Sequence, residues 1–225
     1  MTLLGIDVGT TGCKAALFSP DGVMLHSAYR EYDVQRPQSG WAELDAAAVW
    51  ELVKATIREV TAQEMAGMIQ AISVSSMGEA VMPVTAEREI LGTSLLNFDA
   101  RGEAYLDDLR AKISDAALYQ INGNTLGNHY TLTKLMWIKQ HQPELYARAD
   151  TFLHWSGFVA FMLGADPAVD YSLANRTLLF DLENDPNQEH PLHDGTVEQM
   201  MIAHLVRLMK ENDAPPEQFE RLGLE

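Results

Sequence analysis

The chain has 225 residues, 47% of them apolar, and a formal net charge of −16 from 32 acidic and 16 basic side chains. That acidity argues against nucleic acid and anionic membrane surfaces as partners, since both are bound mainly through Lys and Arg. A single cysteine, Cys13, excludes an intrachain disulfide.

No apolar run reaches the roughly 18–20 residues that span a bilayer, and the N-terminus lacks a basic-then-apolar signal pattern. The expectation is a soluble cytoplasmic protein of one large domain or two small ones.

The first residues, MTLLGIDVGTTGCKAALF, place an apolar strand on each side of a Gly/Thr turn and predict a β-hairpin. Its tip offers backbone N–H groups around Gly9 and Gly12, the hydroxyls of Thr10 and Thr11, and the cation of Lys14. These groups suit a phosphate, because glycine lets backbone donors approach an anion. Asp7 on the first strand can hold Mg²⁺ through water. The same pattern is also open to a plain hairpin with a polar turn. Neither a GxxxxGK[ST] nor a GxGxxG loop is present.

Pro20-Asp21-Gly22 predicts a turn, and Val23–Tyr29 a third antiparallel strand. Asp45 predicts the N-cap of a helix over 46–61, with Val49, Leu52, Val53, Ile57 and Val60 on one face. Ile69–Ser75 predicts a buried strand ending in Ser76-Met77-Gly78-Glu79. Short strands follow over 80–84 and 90–96. Helices are predicted over about 103–112, 114–121 and 131–141, with another opened by Pro143. A short strand over 151–153 precedes an aromatic-rich helix over 154–163, ended by Gly164. Beyond it lie a loop over 166–172, a short helix over 172–178, a polar loop over 181–187 and a helix over 196–211. A last short helix follows Pro215-Pro216. The whole is a mixed α/β pattern.

Ligands of open α/β sheets sit beyond the carboxyl ends of strands. Three such ends are polar here: Gly9–Lys14, Ser75–Glu79 and Asn97–Arg101. Glu79 can accept hydrogen bonds from hydroxyls. Asp99 and Arg101 can pair with each other, as a salt bridge capping the next helix, or share a ligand. Asp170 has the position of an ordinary N-cap. His190 and His193 lack further ligands at metal-site spacing. Trp137, Trp155 and Phe158 are expected in the core, with Met65, Met68, Met200 and Met201 as core filler. No Ser/His/Asp or Cys/His nucleophile set is evident.

Five segments together resemble the FGGY carbohydrate kinases, a family that includes xylulokinase, gluconokinase, glycerol kinase and the autoinducer-2 kinase. They are Gly5-Ile6-Asp7-Val8-Gly9-Thr10-Thr11 with Lys14, Gly40-Trp41-Ala42-Glu43-Leu44-Asp45, Ser75-Ser76-Met77-Gly78-Glu79, Asn97-Phe98-Asp99-Ala100-Arg101, and Asp170-Tyr171-Ser172 with Ala174, Thr177 and Phe180-Asp181. They run in family order over about residues 1–182.

The resemblance implies an actin-like ATPase domain with a ribonuclease-H-like core, its mixed sheet opened by three antiparallel strands and flanked by helices. It implies ATP- and Mg²⁺-dependent phosphorylation of a sugar or polyol, a xylulose-like pentulose or a relative of one. By position, Gly9, Thr10, Thr11 and Lys14 would face the ATP phosphates and Asp7 would serve the metal. Met77, Gly78, Glu79 and Asp99 would line the sugar site, and Arg101 would order that wall. Asn97 stands where the family usually has Trp, and Met77-Gly78-Glu79 lacks the histidine of the xylulokinase pattern. Glu79 is nearer the glycerol kinase glutamate, and Asn97–Arg101 is similar to the autoinducer-2 kinase version.

Family members are about twice this length. The expectation is therefore a single domain over 1–225, one side of a cleft, with a poorly matched helical tail over 189–225. The second domain and its catalytic aspartate would be missing, and the chain alone inactive. The alternative is a non-catalytic sugar-binding or regulatory module. A homodimer is compatible with either.

Overall fold

A computed structural model describes residues 1–63, 66–122 and 126–168, with seven helical positions between 196 and 210. It divides into two compact units, Met1–Arg176 and Thr177–Glu225. In the second unit the described positions, Thr196 to Lys210, are helical, as expected of a 196–211 helix.

In the first unit the strands are β1 (Thr2–Val8), β2 (Gly12–Phe18), β3 (Met24–Glu31), β4 (Glu43–Leu44), β5 (Ile69–Ser76), β6 (Val81–Val84), β7 (Ser94–Leu95) and β8 (Thr151–His154). The helices are α1 (Ala46–Thr61), α2 (Leu106–Arg110), α3 (Asp115–Asn122), α4 (Thr131–His141), α5 (Pro143–Arg148) and α6 (Trp155–Met162).

One sheet has the order β3-β2-β1-β5, with β1, β2 and β3 antiparallel and β5 parallel to β1. Alternation sorts its residues between two faces. Leu4, Ile6 and Val8 are buried with Ala15 and Leu17, while Asp7 and Lys14 are exposed on the other face, opposite one another in register. Asp45 caps α1 as expected, its carboxylate accepting from Ala48 N–H at 2.9 Å. Helix α1 packs on β2 and β3, and α6 packs on β5. The core between them holds Trp50 and Val53 of α1 with Trp155, Phe158 and Val159 of α6. Trp50 and Phe158 meet edge to face, with centroids 5.7 Å apart. Each such ring contributes roughly 1.5–3 kcal/mol by burial.

The second sheet has the order β4-β7-β6-β8. All four residues of β6 are buried, and the Trp155 indole N–H donates to Ser94 Oγ of β7 at 3.0 Å.

Several expectations are corrected. The β5 strand is largely exposed, with Ile72 at 50%, because it pairs with β1 alone among the described residues. The strand expected over 90–96 shrinks to Ser94–Leu95, with Ile90 making one bridge to Val84. The helix expected over 103–112 is a 3-10 turn, Ala100–Tyr105, followed by α2. Met68 and Met200 are exposed at 66% and 51%, so neither fills a core. Met65, Met201, His190, His193 and the whole 170–182 segment lie outside the described residues.

Candidate functional site

The parallel pairing of β1 and β5 brings their carboxyl ends together, and Met77 N–H donates to the Val8 carbonyl at 2.9 Å. The Gly/Thr hairpin and the Met77-Gly78-Glu79 segment therefore leave the sheet at one end. In open sheets that end is where ligands bind.

At the hairpin tip, Gly9 N–H donates to the Gly12 carbonyl at 2.9 Å. Thr11 is exposed and Thr10 half-buried. Asp7 and Lys14 stand opposite each other on neighbouring strands. Among the described residues neither makes an ion pair. Behind the tip the Tyr32 hydroxyl donates to the Gly9 carbonyl at 2.6 Å and lies 3.1 Å from the Gly12 carbonyl. Burial, then the nearby Cys13 and Asp7, push the Tyr32 phenol up from its usual pKa, so it stays protonated.

Glu79 is 7% exposed and has φ +57°, a left-handed backbone that a non-glycine residue rarely adopts. Its Oε2 accepts from Thr131 N–H and Thr131 Oγ1, both at 2.8 Å. Thr131 opens α4, so the carboxylate sits on a helix N-terminus, where negative charge is favoured. His154 Nε2 lies 2.8 Å from Thr131 Oγ1. Since that hydroxyl gives its proton to Glu79, Nε2 is the donor in this contact.

Asp99 and Arg101 take the first of their two alternatives. Arg101 Nη2 lies 2.8 Å from Asp99 Oδ2 and 2.5 Å from Glu43 Oε2. Asp99 also accepts from Ala42 N–H at 2.6 Å and from Arg101 N–H at 2.9 Å, capping the 3-10 turn. The guanidinium packs against two indoles that meet each other edge to face, 4.0 Å from the Trp41 centroid and 4.9 Å from that of Trp137. Asp99 is 0% exposed, and both its oxygens accept hydrogen bonds within the fold. The exposed members of the motif are Asn97 and Phe98.

Lys134 of α4, fully buried, donates to the carbonyls of Asn97, at 3.0 Å, and of Asn128. Asn128 Nδ2 in turn donates to the Asp99 carbonyl at 2.7 Å. Desolvation pushes the Lys134 pKa down to about 8, against the pull of Asp99 and Glu79. Together these bonds tie the Asn97–Arg101 segment to α4, which also holds Glu79. Beside Glu79 is a cavity of about 290 Å³, lined by Leu109, Ile113, Leu118, Leu126, Tyr130 and Thr131 among others. No cluster of three or more His, Cys, Asp or Glu that could hold a metal occurs among the described residues.

A model of the FGGY family of carbohydrate kinases, N-terminal domain, matches residues 2–207. The chain belongs to the FGGY family of carbohydrate kinases. It is 34% identical over 185 residues to a glycerol kinase of Gloeobacter violaceus, covering 80% of this chain and 36% of that protein. It is 22% identical over 204 residues to a xylulose kinase of Staphylococcus xylosus, covering 91% of this chain and 42% of that one. Among solved structures it overlays the xylulose kinase of Rhodospirillum rubrum with a TM-score of 0.72 at 27% identity, covering 77% of this chain and 36% of that one. The chain thus spans about two-fifths of the length of the curated relatives it matches. The fold is the actin-like ATPase fold of FGGY kinases.

Sequence reasoning missed Tyr32, Thr131, Lys134 and His154. Each acts on a partner at least four residues away, the farthest on another element. Only Tyr32, close behind the third strand and in reach of the hairpin, left a usable hint.

Proposed function

We propose that this chain is the sugar-binding side of an ATP-dependent carbohydrate kinase, which moves the γ-phosphate to a hydroxyl of a sugar or polyol, a xylulose-like pentulose or a related compound. One observation carries the reading. The parallel β1–β5 pair, tied by Met77 N–H to the Val8 carbonyl, sets a donor-rich hairpin and a held carboxylate at the same end of one sheet.

In this reading Gly9, Thr10 and Thr11 meet the phosphates with backbone and hydroxyl donors, and Lys14 meets them with its charge. Asp7 fits Mg²⁺, because it is exposed and outside any ion pair among the described residues, and Mg²⁺ takes one or two carboxylates with phosphate oxygens and water. When bound, the ion would offset phosphate charge. Met77, Gly78 and Glu79 form the sugar wall, where Glu79 accepts from substrate hydroxyls. Asp99 and Arg101 act from behind, fixing the backbone that presents Asn97 and Phe98. Phosphoryl transfer depends on positioning and charge neutralisation from both sides of a cleft. The whole activity therefore needs the remaining length found in the relatives, and these 225 residues alone are expected to be silent.

Calorimetry with pentuloses, hexuloses, gluconate and glycerol, run beside a coupled ATP-turnover assay, tests this. Millimolar or tighter binding of one of them without turnover supports the reading. No binding of any of them overturns the sugar wall. Turnover by the 225-residue chain overturns the one-sided reading and leaves the kinase class standing.

A further inference from the structure

We propose that Tyr32 is a positioning residue for the phosphate hairpin, because it engages the carbonyls that would otherwise turn their negative ends toward an incoming anion. The inference rests on the phosphate reading above and adds a residue to it.

Three carbonyls flank the hairpin tip, those of Gly9, Thr11 and Gly12. The Tyr32 hydroxyl lies 2.6 Å from the Gly9 oxygen and 3.1 Å from the Gly12 oxygen. Tyr32 N–H donates to the Thr11 oxygen at 3.1 Å. One residue, placed directly after β3, thus donates to the carbonyls of Gly9 and Thr11, while its hydroxyl rests against that of Gly12, which accepts from Gly9 N–H. In a trans peptide the C=O and N–H point in opposite directions, and the described residues contain no cis bond. Holding the Gly9 carbonyl toward Tyr32 turns Thr10 N–H to the opposite side of the tip. Holding the Thr11 carbonyl does the same for Gly12 N–H. Donors outward and acceptors inward make an anion-binding concavity.

The neighbouring side chains fit this role. The Tyr32 ring packs against the hydrophobic core, so it is anchored rather than draped over the surface. On the β3 side the Tyr29 ring covers Gly12 so closely that a Cβ there would come within 2.1 Å of its hydroxyl. Lys14 and Asp7, on the exposed face, are outside ion pairs among the described residues and add nothing to the hold on the carbonyls. The tip is therefore held by its own Gly9–Gly12 bond and, from behind, by Tyr32. The protonated phenol supplies the donor that the Gly9 carbonyl needs, and phenylalanine would keep the ring but not the donor.

The test is a titration of the 225-residue chain with magnesium tripolyphosphate, followed through the amide resonances of Thr10, Thr11 and Gly12. Wild type should show saturable shifts at these amides. Tyr32→Phe should weaken the binding about three- to tenfold, the worth of one hydrogen bond, with the amide shifts of β1 and α1 unchanged. Lys14→Met serves as the comparison: it should weaken binding through lost charge without altering the free-state shifts of Thr10 and Gly12, which Tyr32→Phe should move. If wild type binds and Tyr32→Phe binds equally well, the Tyr32 role is overturned and the phosphate reading stands. If wild type shows no shifts at the tip, the phosphate reading itself fails, and this inference with it. Should Tyr32→Phe not fold, exchange of the Tyr32 hydroxyl proton in wild type gives the answer: slower exchange with tripolyphosphate bound supports the role, and unchanged exchange overturns it.

Discussion

Asp99 and Arg101 are joined inside the protein, Oδ2 to Nη2 at 2.8 Å, with no exposed surface on the aspartate. The guanidinium is further fixed by Glu43 and by the rings of Trp41 and Trp137. Two carboxylates share one cation here, so the arrangement tolerates loss of the cation poorly. Arg101→Met should destabilise the chain by about 3–5 kcal/mol, because it leaves buried charge unpaired. Urea denaturation compared with wild type measures this. A loss under 1 kcal/mol would mean that the cluster does not hold the Asn97–Arg101 segment as described.

Lys134 gives this network a pH dependence. Its pKa is pushed down to about 8 by burial, below the ordinary lysine value of 10.5. The folded chain therefore holds fewer protons than the unfolded one between those two values. Stability from this group is present in full above the unfolded value and lost as pH falls through about 8. Relative to Lys134→Met, wild type should gain on the order of 3 kcal/mol between pH 7.5 and pH 10.5. Paired urea titrations at the two pH values read it, since other groups titrate alike in both proteins. A constant difference across that range would mean that Lys134 keeps an ordinary pKa.

Much of this architecture could be read from the residues in order, and the physical reason is local. The hairpin followed from apolar runs on either side of Gly9–Gly12, and α1 from Asp45 with its i, i+3, i+4 stripe. These signals depend on neighbours in sequence. The exposure of β5 was not legible, because an apolar run specifies a strand and not what covers it. The buried role of Lys134 was hidden for a similar reason: a lysine in a helix looks solvated unless the carbonyls of Asn97 and Asn128 are known to meet it. At Asp99 the spacing to Arg101 correctly left two outcomes open, and only the fold decided for the ion pair.

Glu79 separates binding from stability. Its carboxylate caps α4 through Thr131, and an amide oxygen can accept the same two bonds. Glu79→Gln should therefore still fold, with the thermal midpoint lowered by several degrees as the charge on the helix N-terminus is lost. Sugar affinity should fall about tenfold or more, because hydrogen bonds to a charged acceptor are worth roughly 1.5–3 kcal/mol. Isothermal calorimetry with the best-bound sugar, beside a melting curve, checks both halves. Equal affinity in the two proteins would remove Glu79 from the sugar wall.

Cys13 reports on the sheet itself. The thiol is 1% exposed on β2, among Val8, Ala15 and the other residues of the main core. Desolvation raises its pKa, only partly offset by the Thr56 hydroxyl and Arg30, so little thiolate forms at neutral pH. Both effects slow reaction with an aromatic disulfide reagent, and opening the β1–β2–α1 core relieves both together. Labelling in native buffer should therefore run far below the rate in urea and follow global unfolding across the denaturation curve. Labelling at the unfolded-chain rate in native buffer would mean that this core opens locally. The hairpin would then be too mobile to hold a phosphate in place.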